Sequence, residues 1–383
     1  MYAALIMLSL VGTIGIASCT SDSDDMDQPS GGNTAIGFGF TSQATRGTST
    51  ETADLKKIGV FGYSHTNAWS TGNTAGNSPD YFLNKAVIKK NGTWEYDGVI
   101  KYWPSDRKVS FFAYAPYSDV EGTFDEVYPD RETDVASSPF IKYLLPTDVT
   151  KQIDLLYANR LDMTYATSNA GKVPFTMKHA LTKIGFTAKR DAADANSWLT
   201  VKVTAIEYKY ISGIGTLNLE DGIWDVTFPA PGDNGKFPIF TLTPDKGGGL
   251  NSNTVEIKKG QTIPVQLNTN DGYFLFIPQI LSGRTPPGST GYVFAAVLYI
   301  RYDLVETTSG KIMSSEVKTF PLSGSYDAGK SITYNATFNT SSNEVDLTLS
   351  KTIVDWVAGA TMPDQPVIEE IPGEDGDDSG TWW

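Results

Sequence analysis

The run Val109-Ser110-Phe111-Phe112-Ala113-Tyr114-Ala115 places apolar side chains at consecutive positions. In an extended chain, consecutive side chains point to opposite faces of a sheet. A strand that is apolar at both parities therefore has both of its faces covered, which is typical of a strand inside a sheet. The run predicts a central β-strand.

Other segments alternate between apolar and polar or small residues with a period of two. Ile36, Phe38 and Phe40 alternate with glycines, and residues 332–338 repeat the pattern with polar partners. A period of two indicates half-buried strands, whereas a surface helix has a period of 3.6. No convincing amphipathic helix longer than about three turns emerges from this periodicity, and we expect an all-β fold.

Residues 199–210 keep this period but change phase. Leu199, Val201, Val203 and Ala205 share one parity, whereas Ile206, Tyr208 and Tyr210 follow the other. A change of phase within one strand is typical of a β-bulge, in which one extra residue enters the strand. We predict a bulge in this strand.

About seven strand-like segments precede His179 and about seven follow it. The economical arrangement is two antiparallel β-sandwiches in tandem. We place an N-terminal sandwich at residues 36–179 and a C-terminal sandwich at residues 180–357.

Composition excludes some classes of partner. The chain has 383 residues, of which 19% are charged, and its net charge is −14. An acidic chain without basic stripes is a poor ligand for nucleic acid. Its single cysteine, Cys19, excludes an internal disulfide, so the core has to stabilise the fold.

The N-terminal 19 residues have the pattern of an export signal. Residues 3–16 form an apolar run that is short for a membrane span, and Ile16-Ala17-Ser18-Cys19 follows. This ending resembles a bacterial lipobox, in which the cysteine thiol carries diacylglycerol. We predict a lipoprotein signal peptide at 1–19 with lipidation at Cys19, an acidic Gly/Ser-rich linker at 20–35, and attachment to the outer membrane at the cell surface. Residues 358–383 form an acidic, proline-rich tail.

Few residues are suited to catalysis. The chain has two histidines and no free cysteine outside the signal region, and it contains no G-x-S-x-G or P-loop motif. We therefore expect no enzyme, no cofactor and no metal site. We expect His65 to be exposed and His179 to be packed. Trp69 and Trp94 are candidate surface aromatics for stacking on sugar rings.

Several segments, taken in order, resemble the fimbrillin family, the type V pilins and their relatives. They are Tyr102-Trp103-Pro104 with the run at 109–116, Asp154-Leu155-Leu156-Tyr157-Ala158, the segment 175–184, Phe276-Ile277-Pro278-Gln279, and the ending from Tyr326 to Trp356. Each match is weak alone, and together they cover residues 36–357. The resemblance implies two transthyretin-like β-sandwich domains and a lipoprotein precursor that is exported to the cell surface.

The resemblance also implies a mode of assembly. A protease would cut between Arg46 and Gly47, after the first strand, which carries Ile36, Phe38 and Phe40. Loss of that strand would open a groove for an extended segment of another fimbrial subunit. The implied partners are the protease, other subunits, and a host or bacterial surface receptor or glycan.

The C-terminal tail is a poor donor strand for such assembly. Its apolar stretch, Val367-Ile368-Glu369-Glu370-Ile371, is short, acidic and framed by prolines. We therefore favour an accessory or tip subunit over a stalk subunit. The alternative is a tethered glycan-binding surface lipoprotein.

Overall fold

The structure is a computed structural model. It describes residues 34–42, 55–69, 79–117, 124–128, 139–228, 237–243, 250, 255–269, 272–283, 295–341, 345–356, 369–371 and 374–375. The regular elements in these ranges are β-strands and two three-residue 3-10 helices, at Val149–Lys151 and Tyr165–Thr167. The predicted all-β class is confirmed.

Nine strands within the described ranges precede residue 180. They are β1 (Gly37–Ser42), β2 (Lys57–His65), β3 (Phe82–Lys90), β4 (Thr93–Glu95), β5 (Lys108–Ala115), β6 (Phe124–Tyr128), β7 (Phe140–Leu144), β8 (Leu156–Met163) and β9 (Lys172–His179).

The later strands follow the same numbering. They are β10 (Thr182–Arg190), β11 (Leu199–Lys209), β12 (Ile214–Asn218), β13 (Trp224–Thr227), β14 (Phe240–Leu242), β15 (Val265–Gln266), β16 (Phe274–Phe276), β17 (Gln279–Ile280), β18 (Val297–Glu306), β19 (Ile312–Pro321), β20 (Ser325–Tyr326), β21 (Lys330–Asn339), β22 (Asp346–Asp355), β23 (Glu369–Ile371) and β24 (Glu374–Asp375).

The apolar run at 109–115 lies in β5, the central strand of a seven-stranded sheet with the order β1-β9-β8-β5-β2-β3-β4. Every residue from Val109 to Ala115 is buried. Phe111 and Ala113 belong to one core cluster, and Phe112 and Tyr114 belong to another on the opposite face. The prediction of a central strand covered on both faces is confirmed, because alternate side chains enter two different cores.

One face of this sheet is covered by two strands from the end of the same sheet, β1 and β9. Only two residue pairs join β8 to β9, Leu156 with His179 and Tyr157 with Lys178. Beyond this short junction, the β1–β9 ribbon lies over the face formed by β5, β2 and β3, so that Phe38 of β1 meets Phe82 and Phe111 across the core. The ribbon and the sheet therefore enclose the first core.

The other face is covered by a four-stranded sheet with the order β13-β12-β7-β6. Its strands come from both sides of residue 179, since the β12–β13 hairpin pairs with β7 over residues 140–144. The core beneath it continues without interruption into that of the C-terminal half. The division into domains at 179/180 stays a prediction. The hairpin lies on the C-terminal side of this boundary but pairs with β7, which lies on the N-terminal side.

The C-terminal half packs two sheets face to face. One has the order β15-β10-β21-β22-β23, with β16 also paired to β10, and the other has the order β14-β11-β18-β19-β24. The register between β11 and β18 shifts between Val203 and Ala205. The predicted bulge is confirmed: it lets Val203 and Ile206 both face the core although they differ in parity.

His179 and Trp356 join the end of β22 to the junction between the halves. Their rings stack with centroids 3.9 Å apart and planes at 6°. His179 Nδ1 lies 3.0 Å from Asp154 Oδ1, and the Trp356 backbone N–H donates to Gly329 O at 2.6 Å. The expectation that His179 is packed is confirmed.

Candidate functional site

The first strand, β1, runs along the edge of the seven-stranded sheet. It pairs in parallel with β9, from Gly37 opposite Lys172 to Ser42 opposite Met177. Among the described residues no strand pairs with its other side. In a sheet, an edge strand is held by hydrogen bonds along one side only. The strand is therefore attached through one ladder and through its side chains.

The side chains of β1 and the residue before it fill an aromatic groove. Ile36 is 1% exposed and Phe38 is 3% exposed. The Phe38 ring centroid lies 5.3 Å from that of Phe82, 5.8 Å from Tyr96, 6.0 Å from Phe111 and 6.2 Å from Phe175. Edge-to-face and stacked pairs at these distances stabilise beyond the area that they bury. Phe38 is thus the central anchor of the strand.

Phe40 lies at the mouth of this groove and is half-buried. Its ring centroid is 4.8 Å from Trp94, nearly edge-on, and 5.2 Å from Phe175, nearly parallel. The ammonium of Lys89 lies 5.8 Å from the Trp94 ring centroid. Trp94, a candidate surface aromatic, therefore packs against the first strand.

Trp69, the second candidate, is partly buried and packs against the other core. Its ring centroid is 5.4 Å from Tyr63, 5.3 Å from Phe112 and 5.5 Å from His65. Its indole nitrogen is buried and has no hydrogen-bond partner within the part of the chain that the structure describes. The two tryptophans pack against separate core clusters and do not form one sugar-stacking platform.

Polar contacts fix the start of the first strand. The Ile36 N–H donates to Lys101 O at 2.8 Å, and the Tyr96 hydroxyl donates to Ile36 O at 3.1 Å. The buried Trp103 donates its backbone N–H to Thr34 O at 3.0 Å. Burial raises the pKa of Tyr96, and the hydrogen bond from the Lys101 N–H offsets this only in part. The raised pKa keeps the Tyr96 hydroxyl neutral, so that it can act as a donor. These residues position the strand in its groove.

Sequence reasoning missed the residues that line the groove, notably Phe82, Tyr96 and Phe175. Each lies at least 40 positions from the first strand in the chain. Strand periodicity shows that such residues are buried, but it does not show which other strand they meet. Trp103 was singled out because it lies in the Tyr-Trp-Pro segment of the resemblance. Its position beside the groove was not predicted.

His65 was the one histidine predicted to be exposed, and this prediction is wrong. It is 8% exposed. A carbonyl oxygen only accepts, so the His65 Nδ1–H donates to Asn67 O at 2.6 Å. The other ring nitrogen of the neutral imidazole, Nε2, accepts from Ser110 Oγ at 2.8 Å. The buried hydroxyl of the central strand β5 captures the ring, a contact between residues 45 positions apart.

This histidine stands in a Ser–His–Asp arrangement that is unsuited to nucleophilic catalysis. Asp162 Oδ1 lies 3.8 Å from His65 Nδ1. However, Ser110 is fully buried, and its oxygen already accepts the Asp162 N–H at 3.0 Å. A nucleophile has to be reachable by its substrate. Within the described ranges, no group of three or more His, Cys, Asp or Glu side chains could hold a metal.

The C-terminal segment pairs with its own chain. β23 runs antiparallel to β22, with Glu369 opposite Lys351, and Ile371 is buried in the core. β24 runs antiparallel to β19, with Asp375 opposite Lys318. The segment therefore joins the edges of both sheets of the C-terminal half.

Three predicted site residues, Cys19, Arg46 and Gly47, lie outside the described residues, as do the signal peptide and the end of the tail. No helix in the described ranges has both the length and the apolar character needed to cross a membrane.

Comparisons with known proteins agree with the architecture. A family model described as fimbrillin-like matches residues 45–356. The chain is similar to fimbrium subunit Fim1C of Phocaeicola vulgatus, at 24% identity, covering 91% of this chain and 96% of that protein. It also resembles the crystal structure of a fimbrial protein from Bacteroides vulgatus, with a TM-score of 0.63 and 18% identity, covering 85% of this chain and 100% of that one.

Proposed function

Since the chain belongs to the fimbrillin-like family, we propose that it is a structural or adhesive subunit of type V fimbriae and assembles by strand exchange after its first strand is removed. Membership of this family supports a location in surface fimbriae, together with other subunits. The observation that carries strand exchange is the position of β1: an edge strand whose two main anchors fill an aromatic groove.

Loss of β1 would leave a site that requires a replacement. Burial of Ile36 and Phe38 is worth about 1.5–3 kcal/mol each, and half-buried Phe40 adds about 1 kcal/mol. The total, roughly 4–7 kcal/mol, is comparable with the whole stability of a domain, about 5–15 kcal/mol. A subunit without the strand would therefore gain stability by binding a donor.

The vacated site would recognise a donor by two features. The N–H and C=O groups that β9 now directs at β1, which come from alternate residues of 172–177 and not from Pro174, would offer a hydrogen-bonding edge, and the groove would offer pockets at alternate positions. Pockets now filled by Phe38 and Phe40 are lined with aromatic rings. We expect a donor with large apolar residues two positions apart.

Removal of the strand requires a cut between residue 42 and the start of β2 at Lys57. We assign it to the Arg46–Gly47 bond, in a Thr/Ser/Gly-rich connection of the kind that proteases reach. Export as a lipoprotein through Cys19, with its lipid in the outer membrane, would bring the precursor to a surface protease.

The C-terminal segment supports an accessory or tip role. It is short and acidic, and its strands β23 and β24 already pair with β22 and β19. A segment held by its own subunit is a weak donor to the next one. The glycan-binding alternative has less support, because Trp69 and Trp94 both pack against other aromatic rings.

Mass spectrometry of the protein from isolated fimbriae would test this proposal. We expect a mature N-terminus at Gly47 and, for Arg46→Ala, a precursor that retains the first strand and is absent from fimbriae. Arg107→Ala, which changes an exposed arginine outside the groove, is the matched control and should be processed normally. Fimbriae that contain the uncut chain would refute strand exchange.

A further inference from the structure

We propose that the free edge of β13 is a second docking site, which binds an extended segment of a partner polypeptide that carries lysine or arginine next to aliphatic residues. The site is separate from the groove of the first strand. It lies between β13 and the two-stranded β17–β20 sheet, where a groove of about 540 Å³ opens to solvent. Ligand sites commonly have volumes of about 300–1,000 Å³.

The hydrogen-bond pattern of the β12–β13 hairpin shows which backbone groups face this groove. The Asn218 N–H donates to Ile223 O at 3.0 Å, so Asn218 and Ile223 form a hydrogen-bonded pair. The next pair along the ladder, Leu217 opposite Trp224, is therefore a pair without mutual hydrogen bonds. In an antiparallel ladder the two kinds of pair alternate. Trp224 and Val226 therefore direct their N–H and C=O groups away from β12.

These outward groups form an unused strand edge. Within the part of the chain that the structure describes, no strand pairs with the outer side of β13, and no residue bonds to the backbone of Trp224 or Val226. Four residues of strand span about 13 Å. The edge therefore offers a ladder to about four residues of a partner, which is the unit of β-strand addition.

Two exposed isoleucines lie on opposite walls of the groove. Ile223, before β13, is 65% exposed, and Ile280, in β17, is 62% exposed. Trp224 and Val226 add partly buried apolar surface between them. Exposed apolar side chains that converge on one groove mark an interaction site more strongly than scattered ones. They favour aliphatic side chains on the partner.

The charge of the residues that line the groove indicates which charged side chains the partner carries. Asp225 and Asp327 are exposed lining residues, and none of the described residues that line the groove is a lysine or arginine. Asp327 Oδ1 accepts from the Ser325 hydroxyl at 2.9 Å, which leaves its second oxygen for another donor. Two uncompensated carboxylates attract a cationic segment and repel an acidic one. This chain's own acidic tail is therefore not the occupant.

A matched pair of peptides tests the proposal with the full chain. The probe is an acetylated eight-residue peptide of alternating valine and lysine, and its control replaces each lysine with glutamate. We expect the lysine peptide to bind at least about tenfold more tightly at low salt, since ion pairs and strand pairing act together, and the preference to shrink at high salt.

Two substitutions at one position separate strand pairing from side-chain contact. Val226→Pro removes an N–H that faces the groove without removing a bond to β12, and edge positions tolerate proline. We expect it to weaken binding of the lysine peptide about tenfold or more, whereas Val226→Ala, which keeps the N–H, should weaken it less than about threefold. A urea midpoint close to that of the unsubstituted chain would confirm that both variants fold.

The charge variant is Asp225→Asn with Asp327→Asn, which should abolish most of the preference for lysine over glutamate. Asp303→Asn, on β18 outside the groove, is the charge-matched control and should retain it. Equal binding of both peptides, or binding unchanged by Val226→Pro, would overturn the proposal. Self-association that Val226→Pro abolishes, without peptide binding, would assign the edge to a second copy instead. Oligosaccharide binding that Trp224→Ala abolishes would likewise replace the peptide with a sugar.

Discussion

Replacing Phe38 with alanine would loosen the first strand more than any other single truncation within it. Phe38 is 3% exposed and has aromatic neighbours on β1, β3, β5 and β9 and at Tyr96. The groove is formed by strands that are hydrogen-bonded to their neighbours, so we expect it not to collapse around a methyl group. The substitution therefore tests whether this one ring anchors the strand.

The expected cost follows from burial. Phe→Ala at a fully buried site costs about 3–5 kcal/mol, because the transfer free energy of the ring and a cavity add. Phe40→Ala should cost about 1–2 kcal/mol, since Phe40 is half-buried and solvent already reaches part of its ring. Phe338→Ala is the matched control: Phe338 is fully buried, but in the C-terminal half.

Urea unfolding and amide hydrogen exchange together provide the assay. We expect Phe38→Ala and Phe338→Ala to lower the unfolding free energy by similar amounts, and only Phe38→Ala to speed exchange of the β1 amides selectively. A loss below about 1 kcal/mol for Phe38→Ala would refute the groove account. Equally fast β1 exchange in the Phe338 variant would refute the local attachment of the strand.

Two further predictions concern stability. Burial alone raises the pKa of Asp194, but N–H groups of Thr340 and Asn196 and the charge of Arg190 outweigh it, so the pKa is lowered in the folded state. The stability that the Asp194 carboxylate contributes is therefore present above about pH 4 and is lost as the pH falls through its folded pKa. The urea midpoints of the unsubstituted chain and of Asp194→Asn should converge between pH 7 and pH 3. A constant gap between the two midpoints would contradict this. Gly222 and Gly92 have φ of +76° and +82°, but only at Gly222 would a methyl group meet a tyrosine hydroxyl, at 2.0 Å. Gly92→Ala should cost about 1 kcal/mol and Gly222→Ala about 2–4 kcal/mol in urea unfolding, and equal costs would exclude the steric explanation.

The central strand and the bulge show how much of the fold could be predicted. Both depend on parity, because a side chain's face is set by its position along the strand and not by its partner. Val109–Ala115 is apolar at both parities and is covered on both faces. The phase change after Ala205 likewise needed no knowledge of β18, against which the bulge is formed one step earlier, between Val203 and Ala205.

The candidate site could be predicted only in part. Ile36, Phe38 and Phe40 were recognised as one apolar face of a strand, and the resemblance to fimbrillins indicated why that strand matters. The groove itself was not predictable, because its walls come from β3, β5 and β9. Trp94 was expected at the surface and instead packs against Phe40, more than 50 positions earlier in the chain.

The sequence by itself determined the strand content, the parity of each strand and the acidic, cysteine-poor character of the chain, since these depend on local order and composition. Tertiary structure alone decided the partners. It paired β1 with β9 across about 130 residues, brought the β12–β13 hairpin to β7, and buried His65 against Ser110. The physical reason is that backbone hydrogen bonds are the same for every residue, so the choice among possible strand neighbours depends on how whole faces pack together.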